Sequence, residues 1–422
     1  MWISLVLGMS GSFVVAQPWG GIGRFVLDSP QVWVQENVEA RRSFRQLFVS
    51  SLDELQRFRE RVVVQRNGDG RVQVRTEETG EAVYILFLNE RDGKFPLYSA
   101  GSWILKRDKK TGALLQVKIF FRTEKECFLR LFPKDGRTTM DVYLFGSLLY
   151  EAVPIGVSLS MLLTEPFQEI LDRTRSTVNW SVLTGEVDPV SFDSIRFMVR
   201  KIREELPHLP DAEDGAMDRN GRLVFIESLK AQSGLPGFNC SGFAKWVADG
   251  LYEPRKGEYL DIDALKEKPL SRRGSRITRR FEDDRDPFFG LDWTRNIACT
   301  LAEASDPEAE DVRDVPFWKY REDVGYPVEE IEGILFTLSL QEPGYFYLGS
   351  INREFGTDPV LRQHVHVVVL FPYFDETGQL IVNVFERNVE TGLSTLKQRF
   401  HGNFIHLVRI KADTVFDPPR IE

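Results

Sequence analysis

Residues 234–252 read GLPGFNCSGFAKWVADGLY, which sets a cysteine directly behind a Pro-Gly loop at the start of an aromatic-rich segment. From Phe243 onward the apolar residues Phe243, Trp246, Val247 and Leu251 recur at helical spacing. Pro236 and Gly237 break regular structure before them, and Asn239 suits an N-cap. Cys240 is therefore expected at about the first helical position. The first backbone N–H groups of a helix lack intrahelical acceptors, and the helix dipole favours negative charge there. A thiolate is such a charge, and helix N-termini lower cysteine pKa values. The same N–H groups can hold an oxyanion. Asn239, Ser241 and Gly242 flank this point, and Ser241-Gly242 keeps the approach to the sulfur small. The position suits a nucleophile.

A nucleophilic cysteine needs a base. The chain has five histidines, at 208, 364, 366, 401 and 406. His208 lies in a Pro-rich loop. His364 and His366 open the strand-like run HVHVVVLF, residues 364–371, and their alternation with valine predicts that both face one side of a sheet. From there an imidazole can meet a cysteine on a helix packed against that side. DETG at 375–378 predicts a hairpin turn that returns LIVNVFERN alongside. Asn383, Glu386 and Asn388 are then the candidates for the group that orients the base. The pattern leaves open which histidine and which partner serve.

GFNCSGFAKWV (237–247), EPGYFYLGS (342–350) and HVHVVVLF occur in that order. Together they resemble the nucleophile motif, the Pro-Gly turn with its strand, and the histidine strand of the NlpC-type cell-wall peptidases, a papain-like family. The resemblance spans roughly residues 190–410. It implies a helix bearing the cysteine packed on an antiparallel sheet, with Cys240 as nucleophile and His364 or His366 as base. Asn383 or Glu386 would be the third residue. It implies no metal or other cofactor, and a substrate of peptidoglycan stem peptide or another envelope peptide cleaved at amide bonds. The same residues are also compatible with a non-catalytic envelope-binding protein, or with an acyl hydrolase or acyltransferase acting on lipid.

The rest of the chain fits that frame. A net charge of −9 argues against nucleic acid as the main partner, since phosphate neutralisation needs a basic surface. The three cysteines, at 127, 240 and 299, lack metal-site spacing and cannot all pair, though a Cys127–Cys299 bridge would leave Cys240 alone. Residues 1–17 carry no charge and end near VVAQ, a pattern like a signal peptide that predicts an extracytoplasmic protein of the periplasm or cell envelope. The apolar run 142–163 is interrupted by Glu151 and Pro154 and reads as core rather than a membrane span.

Three regions are expected after the leader. Residues 18–187 form a β-rich domain without catalytic features. Its strand-like runs include RVQVRT, AVYILFL, LLQVKIFF and DVYLFG, separated by turns such as NGDG, RDGK, KKTG and KDGR. A helix over residues 50–64 is predicted before them, with a Ser51–Glu54 capping box and Leu52, Leu55, Phe58 and Val62 on one face. Cys127, within a strand, is expected in the core. Residues 188–422 form the hydrolase domain. A helix over 191–206 opens it, capped by Ser191. An insertion at about 253–325 holds Arg272, Arg273, Arg276, Arg279 and Arg280, an acidic loop, and a helix on which Cys299 is expected to be buried. GILFTLSL, GYFYLGS, HVHVVVLF, QLIVNVF and FIHLVRI all read as strands. The expected class is α+β.

Overall fold

The computed structural model describes residues 34–65, 70–184, 188–268, 286–305, 312–358, 360–376 and 378–421. The leader, the five arginines at 272–280 and most of the acidic loop lie outside the described residues. The architecture is α+β, with an eight-stranded antiparallel sheet first, then helices and a six-stranded antiparallel sheet.

The N-terminal region opens with α1 (Val38–Ser43) and α2 (Leu52–Arg57). The Ser51–Glu54 capping box is present, but the helix stops at Phe58, whose backbone turns extended. Val62 then lies in β1 (Arg61–Val64), where a β-branched run favours strand over the predicted helix. β2 (Arg71–Glu78), β3 (Ala82–Asn89), β4 (Trp103–Asp108), β5 (Leu114–Phe120), β6 (Phe128–Lys134), β7 (Arg137–Leu144) and β8 (Ser147–Pro154) follow as a meander in sequence order. The β6–β7 turn puts Asp135 and Gly136 at φ 49° and 75°, the pair of left-handed residues that a two-residue hairpin turn requires. Val83, Ile85, Leu105, Val117, Ile119 and Leu129 point to one face and join a core with Ala40, Leu47 and Leu55. α3 (Leu159–Leu162), α4 (Phe167–Thr174) and α5 (Ser181–Thr184) complete this half. Cys127 is fully buried, and burial pushes its thiol up to about 12.

The second half opens with α6 (Asp193–Glu205). Ser191 does not cap it. A 3-10 turn over Pro189–Phe192 precedes it, capped by Asp188. Next come a two-stranded ribbon of β9 (Ala216–Met217) and β10 (Leu223–Val224), then α7 (Cys240–Lys256), α8 (Ile262–Leu265) and α9 (Phe289–Ser305). β11 (Tyr326–Pro327), α10 (Ile331–Gln341), β12 (Tyr345–Phe355), β13 (Leu361–Phe374), β14 (Leu380–Glu386), β15 (Val389–Gly392), α11 (Leu393–Arg399) and β16 (Phe404–Lys411) finish the fold.

GILFTLSL, expected as a strand, is α10. A short, wholly apolar run carries no period that separates a strand from an enclosed helix, and Ile331 through Ser339 are nearly all buried. The sheet runs β11-β16-β12-β13-β14-β15. Its two faces alternate cleanly. Val367, Val369 and Phe371 enter the core shared with Trp246, Val247 and Ile297, on α7 and α9. Val368, Leu370 and Val384 enter a second core with Ile331, Leu335 and Leu396, on α10 and α11. α9, from the segment expected as an insertion, therefore contributes directly to the main core. Cys299 on it is partly exposed rather than buried, and none of the three cysteines is in a disulfide. Among the described residues no helix is long and apolar enough to cross a membrane.

Candidate active site

The start of α7 is built as its sequence predicts. Asn239 has extended backbone, and its side chain accepts the Gly242 N–H at 2.8 Å. Its carbonyl takes the Phe243 N–H, which leaves the N–H groups of Cys240 and Ser241 outside the cap. The loop before it is braced by Gln232, whose amide accepts from Gly237 N at 2.7 Å and donates to Gly237 O at 2.9 Å. Gly242 is required by packing, because a Cβ there would stand 1.9 Å from the Gly215 carbonyl oxygen. Ser241 is buried and its carbonyl accepts from Trp293 Nε1 at 3.0 Å. Both residues thus serve as packing that presents the partly exposed Cys240.

The histidine that accompanies Cys240 is positioned by an irregularity in β13. The pairing with β12 joins Ile351 to His366 and Asn352 to His364, so Val365 is an extra residue in a bulge. The bulge reverses the alternation, and the two histidines face opposite sides instead of one. On the other edge, the β13–β14 pairing ends at Val369↔Phe385. This leaves the edge of β13 near Val367 uncovered, and the Cys240 sulfur takes that place. It receives the Val367 N–H and a hydrogen bond with the His366 imidazole. His366 Nε2 lies 2.5 Å from Glu386 Oε2, so Nδ1 is the ring nitrogen left for the sulfur. Glu386, the last residue of β14, also pairs with Arg399 through the same oxygen. The Phe400 ring stacks on His366 with centroids 5.4 Å apart.

The charges follow from these contacts. Burial pushes the Cys240 thiol up, but hydrogen bonding and charge from His366, the Val367 N–H and the Arg387 cation outweigh it and bring the thiol below its ordinary value. Burial pushes His366 down, but Cys240 and Glu386 raise it to about 9. Burial also opposes ionisation of Glu386, yet His366 and Arg399 hold it below the usual carboxylate range. All three shifts run toward a thiolate–imidazolium pair with an ionised carboxylate behind it.

The other expected residues sit elsewhere. Asn383 points away from the pair and donates to Glu390 at 2.9 Å. It is three positions from Glu386, so strand alternation turns it to the other face. Asn388 donates to the Leu209 carbonyl, and His401 is 80% exposed on the surface. His364 is buried, with Nδ1 accepting from Ser350 Oγ at 2.9 Å and Nε2–H donating to the Asp323 carbonyl at 3.1 Å. His406, also buried, has Nε2 2.9 Å from Asp314 Oδ1, beside Arg295 and Tyr320. Arg399, Phe400 and the Val367 N–H were not legible beforehand. They reach the site only through the return of α11 and the ending of β14.

The two buried histidines predict acid lability. Burial holds both below their ordinary value in the fold. Below about pH 6.5 the unfolded chain takes up protons that the folded chain does not, so stability falls as pH falls, by up to about 1.4 kcal/mol per pH unit for each group. His366, raised to about 9 in the fold, works in the opposite sense until the unfolded imidazole is itself protonated, so it offsets part of the decline near pH 6.5 and the fall steepens toward about pH 5. Thermal melting between about pH 7 and pH 5 should show this decline, and His364→Gln should reduce its slope.

Comparison with known proteins adds one likeness. A family described only as a domain of unknown function (DUF8515) matches residues 30–182, the N-terminal sheet and its helices. No curated protein and no solved structure matches the chain.

Proposed function

We propose that the protein is an exported, papain-like cysteine hydrolase that cleaves amide bonds in peptidoglycan stem peptides. The observation that carries the catalytic part is the Cys240–His366–Glu386 set: Glu386 Oε2 lies 2.5 Å from His366 Nε2, and the same imidazole acts on the Cys240 thiol. The substrate class and export rest on the sequence resemblance and the leader.

In this reading the Cys240 thiolate attacks the amide carbonyl carbon and forms a C–S bond. The oxyanion is held by the uncapped N–H groups at the start of α7. The imidazolium of His366 gives its proton to the departing amine nitrogen as the C–N bond breaks, leaving a thioester. Water then attacks, His366 takes its proton, and the C–S bond breaks to release the acid and regenerate the thiolate. Glu386 keeps the ring in one orientation and stabilises its charged form.

Incubation with purified muropeptides and, in parallel, with lipid esters, read by mass spectrometry, tests the reading. Cleaved stem peptide and intact ester are expected. Ester hydrolysis with intact peptide would overturn the substrate class. Glu386→Gln, which retains a hydrogen-bond acceptor but loses the charge, should lower kcat/KM by about 100-fold or more.

A further inference from the structure

The arginine that closes α11 has no role in the chemistry above, yet it touches the line of charges directly. Arg399 is the last residue of the helix, and Phe400 follows it as the C-cap. α11 is a firm platform. Leu396 is fully buried in the second core, and Lys397 Nζ lies 3.0 Å from Glu332 on α10. From this platform Phe400 covers the His366 ring, and the Arg399 guanidinium lies over Phe400 with Cζ 4.6 Å from the ring centroid. His366 Nε2 and Arg399 Nη2 both address one atom, Glu386 Oε2.

That sharing has a consequence. A carboxylate serving the imidazolium alone would stabilise it to the full extent, and a base that holds its proton too tightly is a poor proton donor to a leaving group. A guanidinium on the same oxygen draws part of that negative charge and repels the imidazolium. It also keeps a buried carboxylate ionised when the histidine is neutral. We infer that Arg399 is a positioning residue that tunes the base, keeping Glu386 ionised and limiting how strongly that carboxylate holds the His366 proton. This rests on the active-site reading above.

The other charged groups around Glu386 do not duplicate the role. Arg387, on the turn after β14, is paired with Asp211 at 3.2 Å. Glu390 on β15 is bound by Arg203 and Asn383. Lys397 is taken by Glu332. Cys240 on α7 acts on His366 rather than on Glu386, and Thr391 on β15 is uncharged.

The test is an NMR titration of the full-length protein labelled with 15N-histidine, with the His366 signal assigned through His366→Gln. In Arg399→Met the His366 pKa should rise by about half to one unit, the size expected of a half-exposed charge a few ångströms away. Arg399→Lys keeps the charge and should restore the original value. Hydrolysis by Arg399→Met should show a basic limb displaced upward by the same amount, whereas a purely structural role would lower the rate without moving the limb. An unchanged His366 pKa in Arg399→Met, with an elevated value in the unmodified protein, would overturn this inference alone. An ordinary His366 pKa in the unmodified protein would overturn the active-site reading and this inference with it.

Discussion

Cys240→Ala is expected to abolish hydrolysis, with a loss of at least about 10³-fold, while leaving the fold intact. In the proposed mechanism the sulfur is the atom that bonds to substrate, and its partly exposed setting at the helix start means that an alanine removes little packing. The unmodified protein offers a check that needs no substrate. Iodoacetamide at mildly acidic pH should label Cys240 faster than an ordinary thiol, because more of a thiol held below its ordinary value is ionised there. Cys127, sealed in the core with its thiol pushed up to about 12, should stay unlabelled. Cys240→Ser supplies the background from Cys299. Labelling that is slow at that pH and rises only near the ordinary thiol range would show that no thiolate–imidazolium pair exists.

The second large effect lies one turn further along α7. Lys245 and Asp249 are both fully buried and form an ion pair of 2.6 Å. Asp249 also accepts the Leu260 N–H at 2.8 Å. Burial raises the Asp249 carboxyl to about 6 even with the lysine beside it. Lys245→Met leaves that carboxylate alone in the core, and should destabilise the protein by about 3–5 kcal/mol near neutral pH. The loss should shrink as pH falls, because the stranded carboxylate escapes by taking a proton. Lys245→Met with Asp249→Leu removes both charges and should recover most of the stability, since well-packed apolar replacements of buried pairs are often neutral. Chemical denaturation of the two variants at about pH 5 and pH 8 measures this. Equal losses in the single and double variants would mean that the pair matters only as volume.

That pair also shows where reading by pattern stops. Helical spacing identifies Phe243, Trp246, Val247 and Leu251 as core, and they are. The same spacing puts Lys245 and Asp249 on a wet face. Instead Ser241 through Leu251 are buried on every side, because the Leu260 segment meets Asp249 and the C-terminal tail packs along the Trp246 and Gly250 side. Trp246 Nε1 donates to the Pro419 carbonyl at 2.8 Å, and the Phe416 ring lies against Gly250. Nothing within residues 240–256 announces either covering segment, the tail being more than 150 positions away. The all-apolar α10 was unreadable for a related reason, since complete burial erases the periodicity that distinguishes helix from strand.

The sequence by itself determined the parts of the site set by neighbours in the chain: the Pro-Gly loop, the Asn239 cap, Cys240 at the first turn, and most of the strands with several of their turns. These depend on local backbone preference and on a few hydrogen bonds that adjacent residues make to one another. Only the tertiary structure decided which histidine stands with Cys240 and which polar residue pairs with it. A single extra residue, Val365, turns His364 into the core and His366 toward the sulfur, and the end of β14 makes Glu386 rather than Asn383 the partner. A bulge and a strand end are products of pairing between distant segments, where one position of register exchanges the two faces of a sheet.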